Sequence, residues 1–195
     1  LLNTDNIESQ LEKVEKLYRF KRNDLILLPR VKEIIGILKS LQYDIQSVVD
    51  FGSQRGALLF PLLDNFPGIQ FIGTDIDEEI YKSLEPLSKP NPYFQFKMIK
   101  ADITQPIKEI PNKSVDIVIA SEILEHLNEP FKCILESVRI ARKYIIITVP
   151  AKPDDNPQHI QYFRIKDMLQ LLEKAGLKSV KVHPNANYNL FMISL

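Results

Sequence analysis

Two acidic residues end short apolar runs, and each is followed by a turn. The first run ends at Asp50, and a turn that contains Gly52 and Gly56 comes next. The second run ends at Asp75, nineteen residues after Gly56. Two parallel strands that end in this way form a cleft with backbone N–H groups on one side and a carboxylate on the other. Such a cleft is suited to a nucleoside.

The glycine turn favours one kind of nucleoside cofactor over another. A dinucleotide site normally has three glycines here, because a pyrophosphate needs close approach to several residues of backbone. In this chain Gln54 occupies the middle position, next to Ser53. The turn therefore disfavours a pyrophosphate and suits a ligand whose carboxylate and amino group pass along the loop.

Two acid–isoleucine pairs follow the second and third apolar runs. Asp75 is placed to accept hydrogen bonds from both ribose hydroxyls, and Ile76 to lie against one adenine face. Asp102 is placed to accept from the exocyclic amine of adenine, and Ile103 to cover the ring. Acids at strand ends are also common as helix N-caps. The interpretation therefore depends on the ordered set and not on any single residue.

Short apolar runs alternate with helical segments from Ser47 onward, and they predict the elements that must position these residues. The expected strands are Ser47–Phe51, Ile69–Thr74, Phe94–Lys100, Val115–Ala120 and Tyr144–Val149. The expected helices between them are Ala57–Asn65, Glu78–Leu87 and Pro130–Ala141. Near-continuous, β-branched apolar runs are typical of parallel strands buried on both faces. The pattern predicts an α/β fold with a doubly wound sheet.

The two ends of the chain depart from this alternation. Residues 1–45 have a helical pattern and are predicted to form an extension that packs on the core domain of residues 46–195. Near the C-terminus a helix is expected over Ile165–Ala175. Two strands, Leu177–His183 and Asn189–Ser194, flank turn-forming residues and predict a hairpin. The sheet should therefore end with an antiparallel strand.

Composition disfavours several classes of protein. Lys plus Arg and Asp plus Glu both number 25, so no broad basic surface favours nucleic acid or an anionic membrane. No apolar run approaches the roughly 18 residues that span a bilayer. The single cysteine, Cys133, rules out an intrachain disulfide and is expected to be a buried thiol in a helix. A cytoplasmic protein, monomeric or homodimeric, is expected.

The ordered motifs resemble those of class I S-adenosylmethionine-dependent methyltransferases, in particular the type 11 and type 23 small-molecule groups. The resemblance covers roughly residues 45–195. It is carried by Val-Val-Asp-Phe-Gly-Ser-Gln-Arg-Gly, Phe-Ile-Gly-Thr-Asp, Ile-Lys-Ala-Asp-Ile, Ser-Val-Asp-Ile-Val-Ile-Ala-Ser-Glu-Ile-Leu-Glu-His-Leu and Ile-Ile-Ile-Thr-Val-Pro. It implies a Rossmann-like, seven-stranded sheet with an antiparallel last strand, which agrees with the predicted hairpin.

The resemblance also implies a cofactor site, with S-adenosylmethionine as methyl donor and S-adenosylhomocysteine as product. The residues that it assigns to the methionine part are Asp50, Gly52, Ser53 and Gly56. Those for the ribose and adenine are Asp75, Ile76, Asp102 and Ile103, and those for the floor beneath the sulfonium are Ser121 and Glu122. The expected partner is a small-molecule methyl acceptor. The family provides no universal catalytic residue, because in-line positioning and loss of water supply much of the acceleration.

The segment from Glu122 to His126 leaves two interpretations open. On a helix, Glu122, Glu125 and His126 would share one face, and His159 would complete a site for Mg²⁺, Mn²⁺ or Zn²⁺. This set resembles that of the small-RNA ribose 2′-O-methyltransferases. The segment also occurs throughout the methyltransferase group, where it supports cofactor packing and the substrate mouth. The second interpretation, without a metal, is preferred, and His126 or His159 is then a candidate base on the acceptor side.

Two further hypotheses belong to different functional classes. A non-catalytic, regulatory S-adenosylmethionine-binding module would explain Gln54 as the sign of a degraded site. A nucleotide-linked oxidoreductase would share the doubly wound fold, but the three-glycine turn is absent. The methyltransferase is the preferred hypothesis.

Overall fold

The computed structural model describes residues 28–88 and 96–195, together with Ser9 and Glu12 as isolated positions. Most of the predicted N-terminal extension therefore lies outside the described residues. The described helices are α1 (Pro29–Leu41), α2 (Leu59–Asn65), α3 (Glu78–Leu84), α4 (Pro130–Ile140) and α5 (Ile165–Lys174). The described strands are β1 (Ser47–Phe51), β2 (Gln70–Asp75), β3 (Phe96–Lys100), β4 (Val115–Ser121), β5 (Ala141–Pro150), β6 (Ser179–Pro184) and β7 (Tyr188–Ser194).

Helix α1 is the described helix of the predicted extension, and it lies in the first half of the chain, which ends at Lys100. Proline at position 29 suits its first turn, where no backbone N–H is needed. Its buried residues repeat at the helical period and are Val31, Ile34, Ile35 and Leu38. This face is buried as the apolar pattern predicts. The proposed boundary between extension and domain near residue 45 stays a prediction.

The first half contains three parallel strands. Val48 of β1 lies opposite Phe71 of β2, and Phe71 lies opposite Phe96 of β3. Because the register continues to the strand ends, Asp50 pairs with Gly73 and Asp75 with Lys100. The acidic residues thus lie at the carboxyl ends of their strands, where parallel sheets place ligand sites.

The second half begins at Ala101 and contains parallel and antiparallel strands. Strand β4 is parallel to β5, while β7 is antiparallel to both β5 and β6. The predicted C-terminal hairpin is therefore confirmed. Across the sheet the strand order is β3-β2-β1-β4-β5-β7-β6. This confirms the α/β class, the doubly wound seven-stranded sheet and its antiparallel last strand.

Several element bounds differ from the sequence-based expectation for identifiable reasons. Helix α2 starts at Leu59 and not at Ala57, because the glycine turn continues through Leu58. Helix α3 ends at Leu84 and passes into a 3₁₀ turn, Glu85–Ser88, at the point where Pro86 disfavours an α-helix. Strand β5 begins directly after α4, with exposed polar residues that hide its start in the apolar pattern.

Two expectations about composition can be compared with the described residues. Cys133 is fully buried in α4, and burial raises the pKa of its thiol above the ordinary range. In the described part of the chain, no helix is both long enough and apolar enough to cross a membrane.

Candidate active site

The turn after β1 is fixed to β2 by hydrogen bonds. The backbone N–H of Ser53 donates to the Thr74 carbonyl at 2.8 Å. The Ser53 and Thr74 hydroxyls donate to the Asp50 carbonyl at 3.2 and 3.3 Å. At Gly73, a Cβ atom would lie 2.9 Å from Ser53 Oγ, which is too close for any other residue without displacement. The glycine at position 73 thus lets the turn pack against β2 without displacing the Ser53 side chain.

Asp75 holds the same turn from the other strand. Its Oδ2 accepts from the backbone N–H of Gln54 at 2.8 Å, and its Oδ1 accepts from the N–H of Asp77 at 3.0 Å. The side chain is only 7% exposed. Asp75 therefore positions the glycine turn in addition to the ligand role predicted for it. The sequence gives no signal for this bond, because its partners are separated by 21 positions.

The turn has left-handed backbone at Gly52, Gln54 and Gly56, with φ of 65°, 44° and 76°. Gln54 thus adopts the conformation that glycine would adopt most readily. For a residue with a side chain, this left-handed conformation is less favourable by about 1–2 kcal/mol. Its side chain is exposed while its N–H is bonded to Asp75, so the turn forms despite the missing glycine.

Asp50 is a buried carboxyl at the start of this turn. Burial raises its pKa to about 7; Asp75 also raises it, whereas a hydrogen bond from Ser53 and the charge of Arg30 lower it. Its Oδ2 atom has no hydrogen-bond partner among the described residues. A buried acceptor of this kind is suited to a cationic or hydrogen-bonding group of a ligand.

The raised pKa of Asp50 predicts that stability falls with increasing pH. Between about pH 4 and pH 7 the folded protein keeps a proton that the unfolded chain releases, so stability is lost as the pH rises through this range. The resulting loss in the free energy of unfolding is at most about 4 kcal/mol. We expect Asp50→Asn, measured by urea unfolding without ligand, to raise the free energy of unfolding at pH 8 by about 2 kcal/mol and to change it little at pH 4.

Asp116 supplies the matched control for this experiment. It is equally buried, but it accepts from the Arg142 guanidinium at 3.0 Å. Asp116→Asn removes a paired charge and should lower stability at pH 8. If Asp50→Asn also lowered it, Asp50 would be ionised and paired in the folded protein, contrary to this prediction.

The predicted adenine-contacting residues lie in different environments. Ile76 is 65% exposed, directly after Asp75. Ile103, in the second half, is buried. Asp102 Oδ1 accepts from the Thr104 N–H at 2.9 Å and from its hydroxyl at 2.7 Å. Asp102 therefore stabilises its own turn as well.

Ser121 and Glu122 lie at the carboxyl end of β4 and are fixed by Thr148 of β5. The Ser121 and Thr148 hydroxyls are 2.9 Å apart. The N–H of Glu122 donates to the Thr148 carbonyl at 3.0 Å and to its hydroxyl at 3.1 Å. Thr148 is a residue that the sequence analysis missed, although its place at the end of an apolar run was a usable signal.

The prediction that Glu122, Glu125 and His126 share one face of a helix is wrong. Glu122 has φ of +51° and is not helical, and only a 3₁₀ turn, Leu124–His126, follows it. The bonds to Thr148 continue the contact between the two strands as far as Glu122. The i, i+4 argument for a four-residue metal site therefore does not apply.

Tertiary structure nevertheless brings three of those four residues together. The candidate ligand atoms of Glu125, His126 and His159 all lie within 4.8 Å of one another. The two imidazole rings meet edge to face, with centroids 4.8 Å apart. Glu125 is fully buried. We call these residues the Glu–His cluster.

The Glu–His cluster is held by contacts between the loop after β4 and the loop after β5. The Ile160 N–H donates to the Glu125 carbonyl at 3.0 Å. His126 Nδ1 lies 2.9 Å from the Gln158 carbonyl, and His159 Nδ1 lies 2.8 Å from Asp154 Oδ1. Burial, the largest effect, lowers the pKa of His126, as does the neighbouring His159, while the Gln158 carbonyl and Asp154 raise it.

A cavity of about 210 Å³ lies in the loop after β5. Its walls include Lys152, Asp154, His159, Ile160 and Tyr162. The Tyr162 hydroxyl donates to the Ala151 carbonyl at 2.8 Å, which fixes the ring at the wall. Tyr162 lines the cavity, whereas its neighbour Phe163 is buried in the core.

The chain belongs to a family of transferases. The sequence model of the methyltransferase-domain family matches residues 49–147, just over half of the chain. The preferred hypothesis is thereby confirmed: the protein is a class I S-adenosylmethionine-dependent methyltransferase, with S-adenosylmethionine as cofactor. None of these findings favours the regulatory, oxidoreductase or RNA-modifying alternatives.

Solved structures of other methyltransferases have the same fold. A SAM-dependent methyltransferase from Aquifex aeolicus has a TM-score of 0.70 and 19% identity, covering 94% of this chain and 97% of that one. One from Archaeoglobus fulgidus has a TM-score of 0.65 and 19% identity, covering 93% and 97%. Magnesium protoporphyrin IX methyltransferase from Synechocystis, with bound SAH, has a TM-score of 0.63 and 19% identity, covering 85% and 81%. No curated protein sequence matches the chain.

Proposed function

We propose that the chain transfers a methyl group from S-adenosylmethionine to a small-molecule acceptor that binds in the cavity after β5. The observation that carries the proposal is this cavity, which has the histidine of the Glu–His cluster, His159, in its wall. Its volume of about 210 Å³ is slightly below the usual range of ligand pockets and is suited to a small acceptor group. The Synechocystis neighbour, by its name, also acts on a small molecule.

In the first half, the cofactor would be held by the glycine turn that follows β1 and lies against β2. Each Asp75 oxygen accepts one backbone N–H and keeps further acceptor capacity, so the carboxylate is suited to the two ribose hydroxyls. The Asp50 carboxyl has a buried acceptor for the amino-acid part of the ligand. Gly52, Ser53 and Gly56 would expose backbone along this part, and exposed Ile76 would cover the adenine.

In the second half, the proposed cofactor contacts are Asp102 and Ile103 for the adenine edge and Ser121 and Glu122 for the floor beneath the sulfonium. Thr148 would act as a positioning residue, because it bonds both Ser121 and Glu122. The cofactor supplies an activated methyl group. The protein then has to orient the acceptor, exclude water and, for an acceptor that carries a proton, remove it. In the interpretation without a metal, His159 is the candidate base at the cavity.

A panel of small hydroxyl, amine and carboxylic acid acceptors, followed by S-adenosylhomocysteine release, tests the proposed acceptor class. With an active acceptor, we expect Tyr162→Ala to raise its KM about tenfold, because a wall of the cavity is lost, and to leave the Kd for S-adenosylmethionine unchanged. Tyr43→Ala is the matched control, since Tyr43 is 93% exposed and is not in the cavity wall. Cofactor binding without turnover on any acceptor would favour the regulatory module instead.

A further inference from the structure

We propose that the Glu–His cluster is a binding site for a divalent first-row metal ion, held by Glu125, His126 and His159. From the sequence, the interpretation without a metal is preferred, because the segment occurs throughout the methyltransferase group, and the case for a metal depends on a helix through Glu122. The structure replaces that helix with contacts between two loops and keeps three ligands without Glu122. Two imidazoles and one carboxylate are a common ligand set for zinc, and they also suit manganese and iron.

The distances are compatible with a site that closes on an ion. Ligands about 2.1 Å from a zinc ion in tetrahedral geometry are about 3.4 Å apart. The candidate atoms here are within 4.8 Å of one another. Closure on an ion would therefore bring each pair of ligand atoms at most about 1.4 Å closer together.

The contacts of Nδ1 in each histidine ring support the assignment of a metal site. The Gln158 carbonyl can only accept, so His126 Nδ1 carries the proton and leaves Nε2 with its lone pair. His159 Nδ1 is paired in the same way with the Asp154 carboxylate. Metal-binding histidines usually donate their other ring N–H to a backbone carbonyl or carboxylate, which orients the ring. Both types of partner are present here.

Three protein ligands leave at least one coordination position for another group. Because His159 also lines the cavity, the ion would lie next to the proposed acceptor pocket. The acceptor class that this geometry favours is one with an oxygen group, such as a hydroxyl, that binds the ion and is oriented by it. This part of the inference rests on the proposed function, whereas the metal site itself does not.

Titration calorimetry of the full chain, first dialysed against a chelator, tests the site with Zn²⁺ and Mn²⁺ in the absence of S-adenosylmethionine. We expect one ion per chain, with affinity lowered at least 100-fold in His159→Ala. His183→Ala is the matched control, because it removes the remaining histidine of the chain, and it should bind as the unmodified protein does. Mg²⁺, which prefers oxygen ligands, should bind more weakly than either probe.

Asp154 gives a second variant that leaves all three ligands in place. Asp154 positions the His159 ring, so Asp154→Ala should lower the affinity for Zn²⁺ about 10- to 100-fold. Asp154→Glu should restore most of that affinity. Binding that is absent, or equal in the His159→Ala and His183→Ala proteins, overturns the inference. S-adenosylmethionine binding measured without metal tests the proposed function separately, so the two can fail independently.

Discussion

Asp75→Ala is expected to lower the affinity for S-adenosylmethionine about 100-fold. The carboxylate is buried, and it is the proposed acceptor for both ribose hydroxyls. Hydrogen bonds to a charged group contribute about 1.5–3 kcal/mol each, and about 2.7 kcal/mol corresponds to a factor of 100 in Kd. Calorimetric titration with S-adenosylmethionine and S-adenosylhomocysteine measures this effect directly.

The same variant should also lose stability, because Asp75 has a structural role. Without its carboxylate, the N–H groups of Gln54 and Asp77 lose their acceptor. We expect the free energy of unfolding to fall by about 1–3 kcal/mol. Binding must therefore be measured under conditions where the variant is fully folded, as judged by its urea unfolding curve.

Asp77→Ala separates the two effects. Asp77 caps α3, and its Oδ1 accepts from the N–H groups of Glu79 and Ile80 at 2.7 and 3.2 Å. Its loss should lower stability by about 1 kcal/mol and leave the cofactor Kd unchanged. A folded Asp75→Ala protein that bound S-adenosylmethionine as tightly as this control would show that the ribose site has been placed wrongly.

Gly56→Ala is expected to lower the free energy of unfolding by about 3 kcal/mol. A Cβ atom at this position would lie 2.4 and 2.5 Å from two carbons of the Phe60 ring, which is almost fully buried. Overpacking of this kind costs about 1–3 kcal/mol, and the left-handed backbone at φ +76° adds about 1–2 kcal/mol. Urea unfolding measures the loss. Cofactor binding should weaken too, since the glycine turn must shift.

Gly36→Ala is the matched control for this change. Gly36 lies inside α1, and a Cβ there would meet nothing within 4 Å. Alanine is the better helix former, so this variant should be more stable by about 0.5–1 kcal/mol. The opposite signs of the two substitutions are the prediction. A loss below about 1 kcal/mol at Gly56 would mean that the turn does not have the conformation described.

Local patterns in the sequence determined most of the fold. Buried parallel strands are continuous β-branched runs, so β1, β2, β4 and the apolar part of β5 are recognisable in the sequence. Turn-forming residues before β7 predicted the antiparallel hairpin. The positions of Asp50 and Asp75 followed as well, because the carboxyl ends of parallel strands meet at one edge of the sheet.

Contacts between distant parts of the chain were decided only by tertiary structure. Thr148 bonds Glu122 from 26 positions away, and the backbone of Glu122 is left-handed where the sequence predicts a helix. The loops that carry His126 and His159 meet because β4 and β5 are neighbours. Burial, the largest cause of the raised pKa of Asp50, and its nearness to Asp75 likewise arise only on folding. Periodicity and turn chemistry reflect interactions between residues near in sequence, whereas pairing and burial depend on packing of the whole chain.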